Sequence, residues 1–324
     1  MGGERPVVAV LCERVTDRPP GLGGLAVDFR YCDADGLRDS VRGARALLLW
    51  DFFSTAVRDV WADAGALEWI HVTAAGVDTL LFDELRDSAV VVTNARGVFD
   101  RPIAEYVLGA VIAHAKDSMR SFDLQRARQW QHRETQSILG AKALVVGTGG
   151  IGRTIARLLR AAGLEVRGAG RTVRSGDPDF GEVVASSNLR DEIGWADHVI
   201  LAAPLTDATR HLVNNPVLAA MRPGTHLINV ARGPIVDETA LLASVCAGHI
   251  AATMDVFDRE PLPPDHPLWT APNVTVTAHM SGDVIGWRDT LAAQFADNAQ
   301  RWLAGEPLLN IVDKKLGYIP TGDR

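Results

Sequence analysis

The strongest restriction on the fold comes from a glycine-rich turn between an apolar run and a helical pattern. The turn is Gly147-Thr148-Gly149-Gly150-Ile151-Gly152, and it follows the apolar run Ala143–Val146. In a strand–turn–helix unit, the first glycine permits the tight turn and the last allows the helix to pack closely on the strand. The middle glycine lets a pyrophosphate approach the backbone, where exposed amides and the helix dipole favour an anion. We therefore predict a dinucleotide site here, although such a motif alone could also be a glycine-rich loop.

Short β-rich runs alternate with longer helical patterns along the chain, which is typical of α/β folds with parallel sheets. The 324 residues suit two domains. A first series of strands ends before residue 100, and a second series follows a helix predicted over Pro102–Arg120. The last long helical pattern, Val284–Ala304, has no strand after it, so we predict that it returns to the first domain.

The resulting fold class is α/β, with two doubly wound parallel-sheet domains. Residues 1–100 plus 284–324 would form a discontinuous, flavodoxin-like substrate domain. Residues 101–283 would form a Rossmann domain that binds the dinucleotide. The tail after Lys314 is predicted to be loose or a surface arm.

Composition argues against nucleic-acid and membrane partners. The net charge is −7 and no block of like charge stands out, whereas a nucleic-acid surface needs clustered basic residues. The longest apolar helical stretch, Ile103–Ala115, is too short to span a bilayer. Three widely spaced cysteines and the lack of a signal-peptide pattern after Met1 predict a cytoplasmic protein with reduced thiols. No metal site is predicted.

Three polar residues, Arg232, Glu260 and His279, each follow a short apolar run downstream of the glycine turn. Ligands of open parallel sheets bind outside the carboxyl ends of the strands, so these three side chains should meet beside the dinucleotide. A guanidinium binds a planar carboxylate with two parallel hydrogen bonds, and an imidazole beside a carboxylate can donate a proton near neutral pH. Singly, each could be a surface charge, a turn residue or a structural hydrogen-bond donor; together they predict a reaction centre.

The segment after the next predicted strand indicates which dinucleotide binds. A site for NAD usually has Asp or Glu about 20 residues after the glycine turn, where it accepts a hydrogen bond from the ribose. The corresponding segment here, Gly170-Arg171-Thr172-Val173-Arg174, contains no acid. Arg171 and Arg174 can bind a 2′-phosphate, and Thr172 can add a hydroxyl donor. We predict NADP(H) as the preferred cofactor and NAD(H) as possible; the alternative is two solvated surface arginines.

Six segments together carry a resemblance that covers almost the whole chain. They are Ala75-Gly76-Val77-Asp78, Ala104-Glu105, Ala203-Pro204-Leu205-Thr206, Asn229–Asp237, Asp255–Leu262 and Thr277–Gly282. In this order they resemble the signatures of the D-isomer-specific 2-hydroxyacid dehydrogenases. The segment that contains Arg171 and Arg174 is similar to that of the NADP-dependent glyoxylate and hydroxypyruvate reductases in that family.

The resemblance implies an active site in a cleft between two domains. Arg232 would hold the substrate carboxylate with the help of backbone amides at 75–77. His279 would protonate the 2-oxo oxygen, and Glu260 would hold the imidazole and favour its charged form. These residues fix the reaction, but they leave the side chain of the acid open.

Further positions match the family's cofactor and substrate contacts. Asp255 would bond the nicotinamide carboxamide, with Pro204 and Ala231 also in the cofactor site. Trp50 and Phe52, which follow a strand of the first domain, are predicted to wall the substrate pocket, although they could equally be packing residues.

The resemblance predicts a 2-oxoacid reductase that acts on glyoxylate, hydroxypyruvate or a bulkier acid and forms a homodimer through Pro102–Trp130. Glu260 argues against a formate dehydrogenase, which carries glutamine there. Two alternatives stay open, namely a dinucleotide-sensing, corepressor-like binding protein and an NAD-dependent dehydrogenase of the phosphoglycerate type.

Overall fold

A computed structural model describes residues 4–320 of the chain, and its backbone divides into two compact units. The first unit comprises Met1–Phe99 and Val284–Arg324, and the second comprises Asp100–Asp283. Residues 1–3 and 321–324, which the predicted first domain includes, lie outside the described residues. None of the helices described is long and apolar enough to cross a membrane.

The strands are β1 (Val7–Leu11), β2 (Asp28–Cys32), β3 (Ala46–Leu49), β4 (Trp69–Val72), β5 (Val91–Asn94), β6 (Lys142–Val146), β7 (Glu165–Gly170), β8 (Arg174–Asp177), β9 (Gly181–Ala185), β10 (His198–Leu201), β11 (His226–Asn229), β12 (Ala251–Met254) and β13 (Val274–Val276). The α-helices are α1 (Leu37–Val41), α2 (Asp83–Asp87), α3 (Asp100–Ala115), α4 (Ser118–Arg126), α5 (Gly150–Ala161), α6 (Leu189–Glu192), α7 (Asn215–Ala220), α8 (Glu238–Cys246) and α9 (Trp287–Ala304).

The first unit is built on a five-stranded parallel sheet in the order β2-β1-β3-β4-β5. Every residue of β3 and β4 is buried, as expected for parallel strands that are covered on both faces. Helix α9 belongs to this unit, and its Phe295 ring stacks on Trp69 with 5.3 Å between ring centroids. The strand order is that of flavodoxin-like sheets.

The second unit contains an eight-stranded sheet in the order β13-β12-β11-β10-β6-β7-β9-β8. All neighbouring strands are parallel except β8, which pairs antiparallel with β9. The order reverses between β6 and β10, and such a switch point is where Rossmann sheets bind dinucleotides. The predicted α/β class with doubly wound parallel sheets is confirmed.

Two local predictions were wrong, and one element was not predicted. The helix predicted over Pro102–Arg120 is two helices, because Asp117 adopts a left-handed conformation (φ 49°) that ends α3. The hairpin β8–β9 was missed. The tail after Lys314 is not loose as far as residue 320, because Tyr318 forms a backbone bridge with Asp313 and Ile319 packs against the core of the first unit.

Three imidazoles form a cluster under the C-terminal end of α3. The ring of His114 stacks on His226 with 4.3 Å between centroids, and His198 meets both rings edge-on. Burial lowers the pKa of His226 well below its usual range and that of His198 to about 4, with the neighbouring imidazoles adding to both shifts. Asp197 opposes the shift at His198 only in part.

We predict that acid destabilises the second unit through this cluster. Unfolded histidines take up protons below about pH 6.5, whereas folded His198 stays neutral until about pH 4 and the pKa of folded His226 is also lowered. Protons therefore favour the unfolded chain in that window. The free energy of unfolding should fall by about 1 kcal/mol per pH unit for each buried histidine. Urea titrations across the window measure this slope, and His198→Gln should reduce it. A stability that is independent of pH there would contradict the prediction.

Candidate active site

The glycine turn after β6 has the shape that a dinucleotide needs. Gly147 has φ 108°, and a Cβ on it would lie 2.6 Å from the backbone of Ala202 on the neighbouring strand connection. A Cβ on Gly152 would lie 1.9 Å from the carbonyl oxygen of Gly147. A Cβ on Gly149 would meet no atom within 4 Å. The outer glycines are therefore required for packing, and the middle one faces open space at the start of α5, where a pyrophosphate would fit.

The loop that follows β7 carries the residues predicted to contact the ribose. Arg171 and Thr172 are exposed on this loop. Arg174 opens β8, and its guanidinium contacts the carboxylate of Asp177 at 2.7 Å. Asp177 also pairs with Arg153, and the hydrogen bonds from both arginines hold its pKa well below the usual range although burial alone would raise it. The charge of Arg174 is thus largely compensated within the hairpin, and Arg171 stays the other predicted contact for a 2′-phosphate.

Arg232 lies in a short turn just beyond β11. The side chain of Asn229 fixes this turn, because its oxygen accepts from the amide of Ala231 and its nitrogen donates to the carbonyl of Arg232, both at 3.0 Å. The guanidinium donates back to the carbonyl of Ala231 at 2.8 Å. A polar side chain buried at the strand end therefore sets where the arginine leaves the sheet.

A close backbone contact joins the turn of Arg232 to the segment of Glu260. A Cβ on Gly233 would lie 1.9 Å from the carbonyl carbon of Phe257, so only glycine fits there. The amide of Phe257 in turn donates to Glu260 Oε1 at 2.9 Å. The glycine after the arginine thus lets the ends of β11 and β12 deliver their polar side chains to one place.

His279 and Glu260 form a half-buried pair, with 2.7 Å between Nδ1 and Oε2. A carboxylate accepts hydrogen bonds, so Nδ1 carries the hydrogen and Nε2 is the nitrogen that can exchange a proton with a ligand. Burial alone would raise the pKa of Glu260, but the bond from His279, the Phe257 amide and the charge of Arg232 lower it overall. Glu260 therefore stays ionised and accepts the hydrogen bond from Nδ1 of His279.

The turn that carries His279 is held by a buried carboxylate. Asp255 follows β12 and is fully buried, and it accepts from the hydroxyl of Thr277 (2.6 Å) and the amides of Met280 (3.0 Å) and Ser281 (2.9 Å). His279 itself has a left-handed backbone (φ 49°). This conformation costs free energy and persists only where surrounding contacts impose it. The carboxylate of Asp255 thus binds this turn, and its bond to a carboxamide stays a prediction.

The remaining predicted residues lie at strand ends. Pro204 and Ala231 follow β10 and β11 at the same edge as the glycine turn. In the first unit, residues 75–77 follow β4, while Trp50 is buried just after β3. The ring of Phe52 meets that of Trp287 edge-on, with centroids 6.3 Å apart. Packing is thus one observed role of Phe52, and its contact with substrate stays a prediction.

Two polar residues of the second unit were missed by the sequence analysis. Asp177 could have been found, because Asp177-Pro178-Asp179-Phe180-Gly181 is a turn signal between two short runs and indicates a hairpin. Tyr106, whose hydroxyl lies 2.6 Å from Thr277 Oγ1, had no local signal, since 171 positions separate the two residues.

Residues 108–281 match the family model described as the D-isomer specific 2-hydroxyacid dehydrogenase, NAD binding domain. This chain belongs to that family. An (S)-sulfolactate dehydrogenase from Chromohalobacter salexigens is 34% identical to this dehydrogenase over 278 residues, which is 84% of this chain and 88% of that protein. The resemblance predicted from the motifs is confirmed.

Other similar proteins cover nearly the whole dehydrogenase. A glyoxylate reductase from Thermofilum pendens is 30% identical over 315 residues, or 95% of this chain and 89% of that protein. The crystal structure of a D-isomer specific 2-hydroxyacid dehydrogenase from Xanthobacter autotrophicus Py2 in complex with NADPH and MES superposes with a TM-score of 0.80 at 32% identity, covering 96% of this chain and 99% of that one. The chain is therefore an oxidoreductase with a nicotinamide-dinucleotide domain.

Proposed function

We propose that this dehydrogenase reduces 2-oxoacids to D-2-hydroxyacids and prefers NADP(H) as its cofactor. The pair of Glu260 and His279, joined at 2.7 Å near the charge of Arg232, is the observation that carries the proposal. A fixed cation, an imidazole and a carboxylate are the groups that binding and protonating a 2-oxoacid require.

The residues present fit a nicotinamide dinucleotide. The open space at Gly149 and the start of α5 suit the pyrophosphate, and Arg171 with Thr172 suits a 2′-phosphate. When bound, the nicotinamide supplies the hydride for reduction. The protein's own contribution is to bind, orient and protonate the acid.

Arg232 binds the planar carboxylate of the substrate with two parallel hydrogen bonds and so fixes the position of the neighbouring carbonyl. His279, charged at Nε2, donates its proton to the 2-oxo oxygen, which becomes the hydroxyl of the product. Glu260 holds Nδ1 and stabilises the charged ring before the transfer. In the oxidation direction, the neutral imidazole takes the same proton back.

For the substrate, we propose a small 2-oxoacid of the glyoxylate or hydroxypyruvate kind, or a bulkier one. The name of the similar glyoxylate reductase supports a 2-oxoacid with almost no side chain. The name of the similar (S)-sulfolactate dehydrogenase supports a 2-oxoacid whose side chain carries a second anionic group. Initial rates with glyoxylate, hydroxypyruvate, pyruvate, phenylpyruvate and sulfopyruvate, each with NADPH and NADH, separate these classes. The proposal also places the enzyme in the cytoplasm, which the three free cysteines support.

Single substitutions at the reaction centre should separate proton transfer from binding. With His279→Ala, kcat should fall by about 10²- to 10⁴-fold because the proton donor is lost. With Arg232→Ala, the KM for the 2-oxoacid should rise far more than the KM for NADPH. Steady-state kinetics measures both, and Arg190→Ala on the exposed surface serves as a control. Near-normal turnover in both variants would refute the assignment.

Arg171→Ala should reduce the preference for NADPH over NADH. The loss of a charged donor to the 2′-phosphate should cost about 1.5–3 kcal/mol, or roughly 10- to 150-fold in the ratio of kcat/KM values. Arg174→Ala should change this ratio less, since Asp177 already compensates its charge. A wild-type enzyme that prefers NADH would show the cofactor proposal to be wrong.

We also propose that the enzyme is a homodimer that pairs through the segment Pro102–Trp130. In the second unit, four large apolar side chains of this segment are exposed, namely Ile112, Met119, Phe122 and Trp130. Such a concentration of exposed apolar surface supports an interface between two copies of the chain.

Replacing Phe122 with Asp should break this interface, because a charge would be buried without a partner. Light scattering on a sizing column should give twice the mass of one chain for the wild type and half that value for the variant. Leu303→Asp, on an exposed position of α9, should leave the dimer intact. A wild type that elutes as a monomer would contradict the proposal.

A further inference from the structure

A hydrogen-bonded chain runs from α3 to the turn of His279 within the second unit. The hydroxyl of Tyr106 lies 2.6 Å from Thr277 Oγ1, and Thr277 Oγ1 lies 2.6 Å from Asp255 Oδ1. Asp255 is the carboxylate that also binds the amides of Met280 and Ser281. The proposed chemistry of the site makes no use of Tyr106.

The direction of this chain follows from the donors available. The carboxylate of Asp255 accepts, so the single hydroxyl hydrogen of Thr277 points to it. Thr277 then has only lone pairs left for Tyr106, whose hydroxyl must donate. Burial raises the pKa of Tyr106 to about 12, so the phenol keeps its hydrogen across the range in which the enzyme works. The chain therefore runs in one fixed direction, from Tyr106 through Thr277 to Asp255.

We propose that Tyr106 is a positioning residue for His279, an inference that rests on the proposed role of His279 as the proton donor. The phenol polarises the hydroxyl of Thr277 and strengthens its bond to Asp255, since bonds in such a chain reinforce one another. Asp255 then holds the backbone on the C-terminal side of His279, where the left-handed conformation needs external support. Through these contacts, α3 sets the direction in which the imidazole points.

The bond to Thr277 also explains why position 106 carries a tyrosine. Phenylalanine would fill the same space but would leave Thr277 Oγ1 with no donor in a half-buried place. The hydroxyl of a tyrosine on α3 reaches Thr277 at the end of β13, which the ring of a phenylalanine cannot do. The position thus supplies one directed hydrogen bond.

The test compares Tyr106→Phe, Thr277→Val and Thr277→Ser in the full-length enzyme with its cofactor. The first two variants should each lower kcat by about 2- to 10-fold, the effect of one hydrogen bond. They should also shift the pH dependence of kcat, because the imidazole is no longer held in one orientation. Thr277→Ser keeps the hydroxyl and should restore both properties. The double variant Tyr106→Phe/Thr277→Val should lose no more than Thr277→Val alone.

Tyr31→Phe, on β2 of the first unit, controls for the loss of a phenol hydroxyl elsewhere. The nitrogen NMR shifts of His279, assigned with His279→Ala, report its tautomer and orientation without any turnover. A changed His279 signal in Tyr106→Phe supports the proposal even for a variant with low stability. An unchanged signal together with an unchanged pH profile overturns it. Failure of the proposed function shows separately, as full activity in His279→Ala.

Discussion

A buried carboxylate supports the part of the structure on which the chemistry depends. Asp255 lies at the end of β12 with no exposure to solvent, and a buried charge of this kind is tolerated only where hydrogen bonds satisfy it. The groups that donate hydrogen bonds to it lie in the turn after β13, the strand next to β12 in the sheet. The hydrogen bonds that satisfy this charge therefore also join the ends of β12 and β13. They hold His279 in a backbone conformation that it would rarely adopt alone.

Steric constraints on glycine complete the arrangement. Gly233 brings the backbone of the turn after Arg232 against Phe257. Gly147 brings the end of β6 against the connection that follows β10. In both places a Cβ would overlap backbone atoms, which cannot move aside as a flexible side chain can. Close packing of main chains at the carboxyl edge thus concentrates the polar side chains of several strands within a small volume.

Much of this arrangement was predictable from the sequence, because it follows from the pattern of short apolar runs and from the polar residues that come directly after them. The buried strands read as short apolar runs, and the positions of Arg232, Glu260 and His279 just beyond them predict a shared edge. The break at Asp117 was not predictable, since the helical pattern continues through it and only the backbone conformation ends α3. The bond of Tyr106 to Thr277 was hidden for another reason: it joins residues far apart in sequence, and a half-buried tyrosine on a helix has many equivalent packing roles.

The turns that carry the proposed reacting groups differ in kind from the loop that carries Arg171, the proposed contact for the cofactor. Arg232, Glu260 and His279 sit on turns whose backbones are fixed by buried partners, so substitutions near them change the geometry of several strands at once. Arg171 sits on an exposed loop before an antiparallel hairpin at the end of the sheet, where Asp177 forms ion pairs with Arg153 and Arg174. In the proposed function, a substitution at position 171 therefore alters which dinucleotide binds while the buried contacts at the carboxyl edge stay in place. The proposed cofactor contact thus depends on a surface loop, whereas the proposed proton donor depends on buried hydrogen bonds.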